Sequence, residues 1–263
     1  MKIIVCIKQV PNTNEVRIDN DTGTLIREGI PSIINPDDLN ALEEALRIKD
    51  SRNNTCVTVI SMGPSQADTA LREALAMGAD EAIHLTDKAF AGSDTWSTGT
   101  ILAAAIKKIG DYDIIFCGRQ AIDGDTAQVG PEIAEFLDIP QITYVNELKI
   151  LDKSIKAKRT FEDGYFVIES DMPVLLTVIK ELNLPRFMDM RLIYQAYSPE
   201  ANFKVWSAED IDVDLTQIGL KNSPTKVFKT FVPVKKFYGE QIKGTPKQVA
   251  VRCVEKIIKL NLL

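Results

Sequence analysis

Residues 113–131 read DIIFCGRQAIDGDTAQVGP, and this stretch decides the fold. Its first part, Asp113 to Cys117, is continuously apolar after the aspartate, which predicts a β-strand buried on both faces of a sheet. The loop that follows is rich in glycine and aspartate, and it leads directly into a helix carrying Ile133, Ala134 and Leu137. A buried strand, a loop and a helix in this order are the repeating unit of an open parallel sheet.

The same alternation of strand and helix covers the first 145 residues. We therefore predict an α/β fold, an open parallel sheet with right-handed crossovers and helices on both faces. Further strands are predicted at Ile3 to Ile7, Cys56 to Ile60, Ala82 to Leu85 and Gln141 to Val145, an inserted hairpin at Glu15 to Ile18 and Thr24 to Ile26, and helices beginning near Asn35, Pro64 and Ser93.

The pattern changes near residue 146. Leu148 to Leu151, Ile155 to Arg159 and Tyr165 to Ile168 are short strands separated by turns, which predicts an antiparallel meander over 146–170. We expect residues 1–200 to form one α/β domain and residues 201–263 to form an extended arm. The arm ends in a helix with a capping box at Thr245 to Gln248 and an apolar stripe of Val249, Cys253, Val254, Ile257 and Ile258.

Composition excludes several classes of protein. With 37 acidic and 31 basic residues the net charge is −6, which argues against a nucleic-acid binder that works by neutralising phosphates. Apolar runs such as Val174 to Ile179 are far too short for a membrane span. The first residues, MKIIVCIKQV, read as a strand rather than a signal peptide, so a cytoplasmic protein is expected.

The four cysteines predict no metal site. Cys6, Cys56, Cys117 and Cys253 form no CxxC pair, and His84 is the only histidine. We interpret these cysteines as small buried hydrophobic residues in a reducing compartment. A nucleophilic cysteine–histidine pair would need His84, which lies in an apolar strand and is better explained as structural.

The loop Gly118 to Gly130 is the strongest candidate binding site. Backbone amides at a helix start bind phosphate, and glycines permit positive φ angles and close backbone approach. The pattern is neither GxGxxG nor a P-loop, and an ordinary acidic loop remains the alternative. Ser61 to Pro64 and Asn35 to Asp38 are further candidates, with plain helix caps as the alternative. With Cys6, all three segments face one rim of the predicted sheet, where ligands of such folds bind.

The chain resembles the β subunit of electron-transfer flavoproteins over essentially its full length. Six landmarks in order carry the resemblance, although Phe166 or Val167 stands where that family commonly has an acid or amide. The landmarks are Val5 to Val10, Asn35-Pro36, Ala74 to Asp80, Gly118 to Gly130, Arg159 to Thr177 and Asn183 to Phe187.

The resemblance implies a Rossmann-like fold of the adenine-nucleotide α-hydrolase type and a heterodimer in which the carboxyl-terminal segment embraces an α subunit. It also implies an adenine nucleotide on this chain: AMP in housekeeping members, or a second FAD in bifurcating members of anaerobes, with its adenylate end in the same place. The matching residues are Cys6, Asn35, Pro36, Asp37, Asp38, Met62, Gly63, Gly118, Arg119, Gln120, Ala121, Ile122, Asp123, Gly124, Asp125, Thr126, Ala127, Gln128, Val129 and Gly130.

The sequence resembles the bifurcating branch more closely. The cues are Ile33 to Asp38 and Asp123 to Pro131, in which the small Gly124 and Ala127 leave room for a pyrophosphate and ribityl chain. The implied activity exists only in the complex and uses no acid, base or nucleophile of the protein. NADH would reduce the FAD of this chain, and electrons would pass to the α-subunit FAD and an acyl-CoA dehydrogenase, and to ferredoxin or flavodoxin. Arg119 either assists the pyrophosphate or forms a surface salt bridge.

Residues 184–197 match the segment by which the family recognises its dehydrogenase. Met190 aligns with the apolar anchor of that segment, and packing beneath an ordinary loop is the alternative. The residues expected to bind the partner are Pro185, Arg186, Phe187, Met190 and Arg191. Two rival interpretations are a non-redox adenine-nucleotide sensor, which would end near residue 145, and a nicotinamide dehydrogenase, for which both the glycine fingerprint and a proton-transfer residue are missing.

Overall fold

The structure is a computed structural model that describes residues 1–12, 17–18, 25–26, 31–226 and 239–260. It divides into two compact units, Met1–Phe228 and Lys229–Leu263. The strands are β1 Lys2–Cys6, β2 Gln9–Pro11, β3 Arg17–Ile18, β4 Leu25–Ile26, β5 Ser32–Ile34, β6 Cys56–Met62, β7 Glu81–Leu85, β8 Ile114–Gly118, β9 Gln141–Ile150, β10 Ser154–Phe161, β11 Gly164–Asp171, β12 Val174–Val178 and β13 Phe203–Trp206. The α-helices are α1 Pro36–Ser51, α2 Asp68–Met77, α3 Thr95–Ile109, α4 Val129–Leu137, α5 Met190–Ala196, α6 Gly219–Asn222 and α7 Pro246–Lys259.

One nine-stranded sheet organises the first unit, in the order β11-β10-β9-β12-β8-β1-β6-β7-β13. The seven strands from β9 to β13 in this order pair in parallel, and β9, β10 and β11 pair antiparallel. The predicted α/β fold with an open parallel sheet and a meander is therefore confirmed. The meander extends the main sheet rather than standing apart from it.

Helices cover both faces of this sheet. Side chains of α1 and α2 pack with one face, and those of α3 and α4 pack with the other. From β1 the chain builds outward through β6 and β7, and then returns to place β8 on the other side of β1. The point between β1 and β8, where the order reverses, is the place at which folds of this kind bind ligands.

The first meander strand differs from the prediction. The sequence separates Gln141 to Val145 from Leu148 to Leu151, but both belong to the single strand β9. The first half of β9 pairs with β12 and the second half with β10, so the burial of its side chains changes along its length. Tyr144 has a φ of 57° at the register shift in the pairing of β9 with β12. The pattern of apolar residues changes within β9 because its neighbouring strand changes from β12 to β10. The sequence therefore looks like two separate strands.

The inserted hairpin is confirmed in its described part. Arg17–Ile18 pairs antiparallel with Leu25–Ile26, and the predicted turn at Asp21-Thr22-Gly23 lies outside the described residues. The neighbouring strands β2 and β5 also pair antiparallel and lead the chain back to the start of α1.

Helix ends agree with the sequence at most positions. Pro36 begins α1, the Asp94 side chain accepts a hydrogen bond from the Ser97 amide at the start of α3, and glycines with φ of 122° and 76°, Gly78 and Gly110, end α2 and α3. The helix expected from Pro64 begins as an α-helix only at Asp68, after one 3₁₀ turn.

The expected boundary at residue 201 differs from the structure. Strand β13 pairs in parallel with β7 and forms the last strand of the sheet, so the chain after 201 is still part of the first unit. In the second unit α7 has the predicted capping box between Thr245 and Gln248. No residue of α7 is buried, and its apolar side chains Val251, Val254, Ile257 and Ile258 are exposed.

Candidate functional site

A cavity of about 350 Å³ lies at the carboxyl ends of β1 and β8, where the strand order reverses. Its size is within the range of small-molecule sites. The residues lining it are Cys6, Ile7, Lys8, Asp38, Met62, Ser93, Asp94, Thr95, Thr98, Leu102, Cys117, Gly118, Arg119, Gln120, Ala121, Gly124, Asp125, Thr126, Ala127, Gln128, Val129 and Gly130. The structure thus brings together Cys6, Asp38, Met62 and most of the predicted loop.

Asp38 holds the two strand ends together. Its Oδ2 accepts a hydrogen bond from the Lys8 amide at 2.8 Å, and its Oδ1 accepts one from the Gly118 amide at 3.0 Å. The side chain is fully buried, and burial raises its pKa to about 7 although these amides favour the ionised form. The carboxyl therefore changes charge near neutral pH at the edge of the cavity.

Asn35 fastens the predicted loop to the start of α1. The sequence predicts Asn35 as the cap of α1, and the residue does occupy the N-cap position, but its side chain makes no capping bond. Its Nδ2 donates to the Gln120 carbonyl at 2.9 Å, and its Oδ1 accepts from the Ile122 amide at 3.0 Å. A fully buried amide that bonds two backbone groups positions the loop instead of the helix.

The loop glycines are important because they lack a Cβ, and not because they adopt positive φ angles. Gly118, Gly124 and Gly130 do not have positive φ, whereas Asp125 and Ala127 have φ of 56° and 53°. A Cβ at Gly118 would lie 2.3 Å from Asp38 Oδ1, and one at Gly130 would lie 2.6 Å from the Thr177 methyl group. No atom lies within 4 Å of a Cβ built on Gly124, so the middle of the loop borders open space.

Two side-chain pairs hold the loop, one of them an ion pair. Lys8 Nζ binds both carboxylate oxygens of Asp123 at 2.7 and 2.8 Å, and Gln120 donates a hydrogen bond to Asp125. The α4 helix follows this loop, and the side chain of its N-cap residue, Gln128, makes no capping bond. Uncapped amides at a helix start are a favourable environment for an anionic group.

Arg119 lies between two cavities. Its Nε is 3.4 Å from Asp37 Oδ2, so the salt-bridge interpretation of Arg119 has a partner. Burial raises the pKa of Asp37, and the charge of Arg119 opposes that effect. Both residues also line a second cavity of about 510 Å³, which is bounded by Tyr144, Asn146 and Thr160 among others.

Known proteins resemble the chain that forms this cavity. A model of the electron transfer flavoprotein domain matches residues 22–208. The chain belongs to the electron transfer flavoprotein family. It is 59% identical to the electron transfer flavoprotein subunit beta of Clostridium acetobutylicum, over 98% of each chain. It is 54% identical to the caffeyl-CoA reductase-Etf complex subunit CarD of Acetobacterium woodii, and 44% identical to the acryloyl-CoA reductase electron transfer subunit gamma of Anaerotignum propionicum, over the whole of each chain.

These relatives confirm the predicted resemblance to electron transfer flavoprotein beta subunits, and with it a role in electron transfer. Among the residues that the structure describes, no helix combines the length and apolarity needed to cross a bilayer. In the same residues, no three histidine, cysteine or acidic side chains are grouped as a metal ion would require.

Several site residues of this flavoprotein subunit were missed from its sequence. The Ser93 to Thr98 segment lines the cavity at the start of α3, where the sequence predicts only a helix cap. Hydrogen bonds from Ser97 and Thr225 to the Asp94 carboxylate outweigh its burial and hold its pKa below the usual range. The strand order brings this segment to the cavity, and no local pattern signals it. Lys8 and Cys117 adjoin predicted residues at strand ends, which is the signal that could have found them.

Other predicted residues lie near the cavity without lining it: Asn35, Pro36, Asp37, Gly63, Ile122 and Asp123. Asn35 and Asp123 hold the loop, as described above, and Pro36 is the first residue of α1. Gly63 follows β6, and its carbonyl bonds His84 Nε2 at 3.1 Å. These residues support the site rather than face its interior.

The predicted recognition segment of this electron transfer flavoprotein chain is held near both ends, by Arg186 and by buried Ala196, whose carbonyl accepts a hydrogen bond from Arg72. Asn183 and Asn40 form reciprocal side-chain hydrogen bonds, and Arg186 binds Glu43 Oε2 at 2.8 Å and Asp50 at 2.8 Å. The exposed residues are Leu184, Phe187, Met190, Arg191, Tyr194 and Tyr197. Met190 and Arg191 begin the short helix α5, so part of the expected loop is helical.

Proposed function

We propose that this chain is the β subunit of a heterodimeric electron transfer flavoprotein and that its cavity holds the adenylate end of FAD. The observation that carries the proposal is the position of the cavity at the strand-order reversal, between the glycine-rich loop and the starts of α3 and α4. The alternative is the housekeeping arrangement, in which AMP occupies the same place.

The residues present fit such a group. Gly118 and Gly130 have no room for a Cβ, so their backbones can approach neighbouring elements closely, whereas Gly124 faces open space that a phosphate-bearing chain could occupy. The amides at the start of α4 would face the phosphates, and Asp125 and Gln128, which line the cavity, would bond sugar or base groups. FAD, when bound, supplies the electron-carrying chemistry, while this chain orients it and sets its surroundings.

The partners follow from the family and from the names of two relatives. Subunits of a caffeyl-CoA reductase-Etf complex and of an acryloyl-CoA reductase support transfer toward an acyl-CoA dehydrogenase-type flavoenzyme. In the bifurcating arrangement, NADH donates electrons that divide between this flavoenzyme and ferredoxin or flavodoxin. The exposed stripe of α7 and the exposed side of residues 184–197 are available for the α subunit and the dehydrogenase.

Cofactor counting tests the proposal. The chain is purified with its α subunit, and FAD and AMP are measured in the denatured extract. Two FAD per heterodimer support the bifurcating form, one FAD with one AMP supports the housekeeping form, and a heterodimer whose only nucleotide is the α-subunit FAD overturns the proposed site.

A loop variant locates the nucleotide on this chain. Gly124→Phe fills the open space and is expected to lower the second nucleotide to well under half occupancy. Gly124→Ala is the matched control and is expected to retain it. Equal nucleotide content in both variants contradicts the placement in this cavity.

A further inference from the structure

Two buried cysteines lie side by side at the base of the cavity. Cys6 is the last residue of β1, and Cys117 is its register partner on the neighbouring strand β8. Register partners of parallel strands direct their side chains to the same face of the sheet. Both residues accordingly belong to the cluster packed against α3 and α4, and both line the cavity.

The spacing of the two strands brings the thiols within reach of one ligand. Neighbouring strands lie about 4.8 Å apart. This spacing is within the Cα separation of about 4.4–6.8 Å over which cysteine pairs are covalently bridged. A group that enters the cavity and reaches its base therefore meets two sulfur atoms at once.

The environment keeps Cys117 protonated. The neighbouring Cys6 side chain and burial raise the pKa of the Cys117 thiol above its ordinary value. A simple thiolate nucleophile is therefore not what the pair offers. The cysteine pair suits a ligand whose central atom can replace two bound oxygen atoms with two thiol sulfurs.

We propose that Cys6 and Cys117 form a dithiol site that binds thiol-bridging soft electrophiles, such as trivalent arsenicals, in competition with the nucleotide of the proposed function. The competition rests on that proposed function, whereas the dithiol itself rests only on the strand register and the cavity. A hydrated organoarsenic(III) group forms two As–S bonds, loses two As–O bonds, and releases two water molecules that carry away the thiol protons. No electrons are transferred.

The number of available ligands favours such an electrophile over a metal ion. Over the described part of the chain, no third histidine, cysteine or acidic group joins the pair in a metal-binding arrangement. Trivalent arsenic forms three bonds, and in an organoarsenic(III) group one of them is to carbon. Two protein sulfurs are therefore enough to complete its bonding. The two remaining cysteines, Cys56 and Cys253, are free and exposed, so the expectation that the cysteines are buried holds for Cys6 and Cys117 and is wrong for these two.

Phenylarsine oxide tests the site in the heterodimer with the α subunit. Cys56→Ser and Cys253→Ser first remove the single thiols of this chain, and the nucleotide is stripped. Mass spectrometry of the β chain is expected to show one phenylarsenic group that survives an excess of a monothiol and is removed by a dithiol. Prior saturation with FAD or AMP is expected to slow adduct formation by about tenfold or more, since the nucleotide would cover the sulfurs.

Single replacements separate the outcomes. Cys6→Ala and Cys117→Ala are each expected to abolish the monothiol-resistant adduct while circular dichroism confirms folding, and either variant suffices if the other fails to fold. An adduct that persists in a folded single variant, or no adduct in the parent protein, overturns the dithiol. An adduct that needs both cysteines but forms equally fast with nucleotide bound supports the dithiol site. The same result overturns the competition between arsenical and nucleotide, and with it the proposed position of the nucleotide.

Discussion

The carboxylate of Asp38 accepts a hydrogen bond from the amide of Gly118, at 3.0 Å, across the point where the strand order of the sheet reverses. The same carboxylate accepts the Lys8 amide, so one side chain of α1 binds the ends of both β1 and β8. The cavity opens beside this contact. The geometry of the candidate nucleotide site therefore depends on how closely α1 and β8 approach each other.

Gly118→Ala is expected to destabilise the chain. The new Cβ would lie 2.3 Å from Asp38 Oδ1 and 2.7 Å from the backbone of α1, so rigid backbone would have to move. Overpacking of this kind costs about 1–3 kcal/mol or more. Urea denaturation followed by circular dichroism measures the change.

Gly124→Ala is the matched control for this substitution. Its Cβ would meet no atom within 4 Å, and we expect the free energy of unfolding to stay within about 0.5 kcal/mol of the parent. Similar losses in the two variants would contradict the close approach at Gly118.

Asp38 is expected to make stability depend on pH. Because burial raises its pKa from 3.8 to about 7, the folded chain retains a proton that the unfolded chain has already released. The contribution of this carboxyl to the free energy of unfolding therefore falls as the pH rises from about 4 to about 7.

Comparison with Asp38→Asn isolates this effect. The amide cannot titrate, and its NH₂ group would face a backbone donor, so the variant is less stable at low pH. The stability gap between parent and variant should narrow between about pH 4 and about pH 7 in urea titrations. A gap that stays constant or widens over this range would show that Asp38 is ionised throughout.

Arg186→Ala is expected to loosen the recognition segment. The substitution removes the side-chain bonds to Glu43 and Asp50. The buried Glu43 carboxylate keeps its ion pair with Arg47 and its hydrogen bond from the backbone amide of residue 186. Losing hydrogen bonds to a charged group costs about 1.5–3 kcal/mol. Faster proteolysis within residues 184–197 and a lower urea midpoint are the expected results.

Arg191→Ala provides the comparison, because the Arg191 side chain is 89% exposed and forms an ion pair with its neighbour Asp189. We expect no change in stability and no faster proteolysis. If Arg191→Ala reproduced the effect of Arg186→Ala, the anchoring role of Arg186 would be refuted.

Met190→Ala is expected to weaken electron transfer to the dehydrogenase without changing the flavin content. Met190 is 84% exposed at the first position of α5, so its removal leaves no cavity in the protein. Stopped-flow reduction of the partner flavoenzyme measures the rate, and Met190→Leu should restore most of it. Parallel loss of rate and flavin would indicate misfolding instead.

Sequence reasoning found the loop but misjudged how its parts work. Gly118 to Gly130 stands out because glycine and aspartate directly follow a buried strand, and the structure places most of this loop on the cavity. Positive φ was expected at the glycines and occurs at Asp125 and Ala127, because the glycines face close neighbours or open space. Asn35 is predicted as a helix cap because asparagine is common at N-cap positions. Its side chain instead donates a hydrogen bond to the Gln120 carbonyl, in a loop far away in the sequence.

Local spacing alone determined the central strands β1, β6, β7 and β8, the helices α1 to α4 and α7, the proline at the start of α1, the capping box of α7 and the glycine-rich loop. Each of these depends on residues within a few positions of one another. Tertiary structure alone decided that Cys6 meets Cys117, that Asp38 bonds Gly118, and that the start of α3 lines the cavity. These contacts join residues far apart in the chain, and their partners are selected by the order in which buried strands pack into one sheet. That order is a property of the whole core, and no short stretch of sequence contains it.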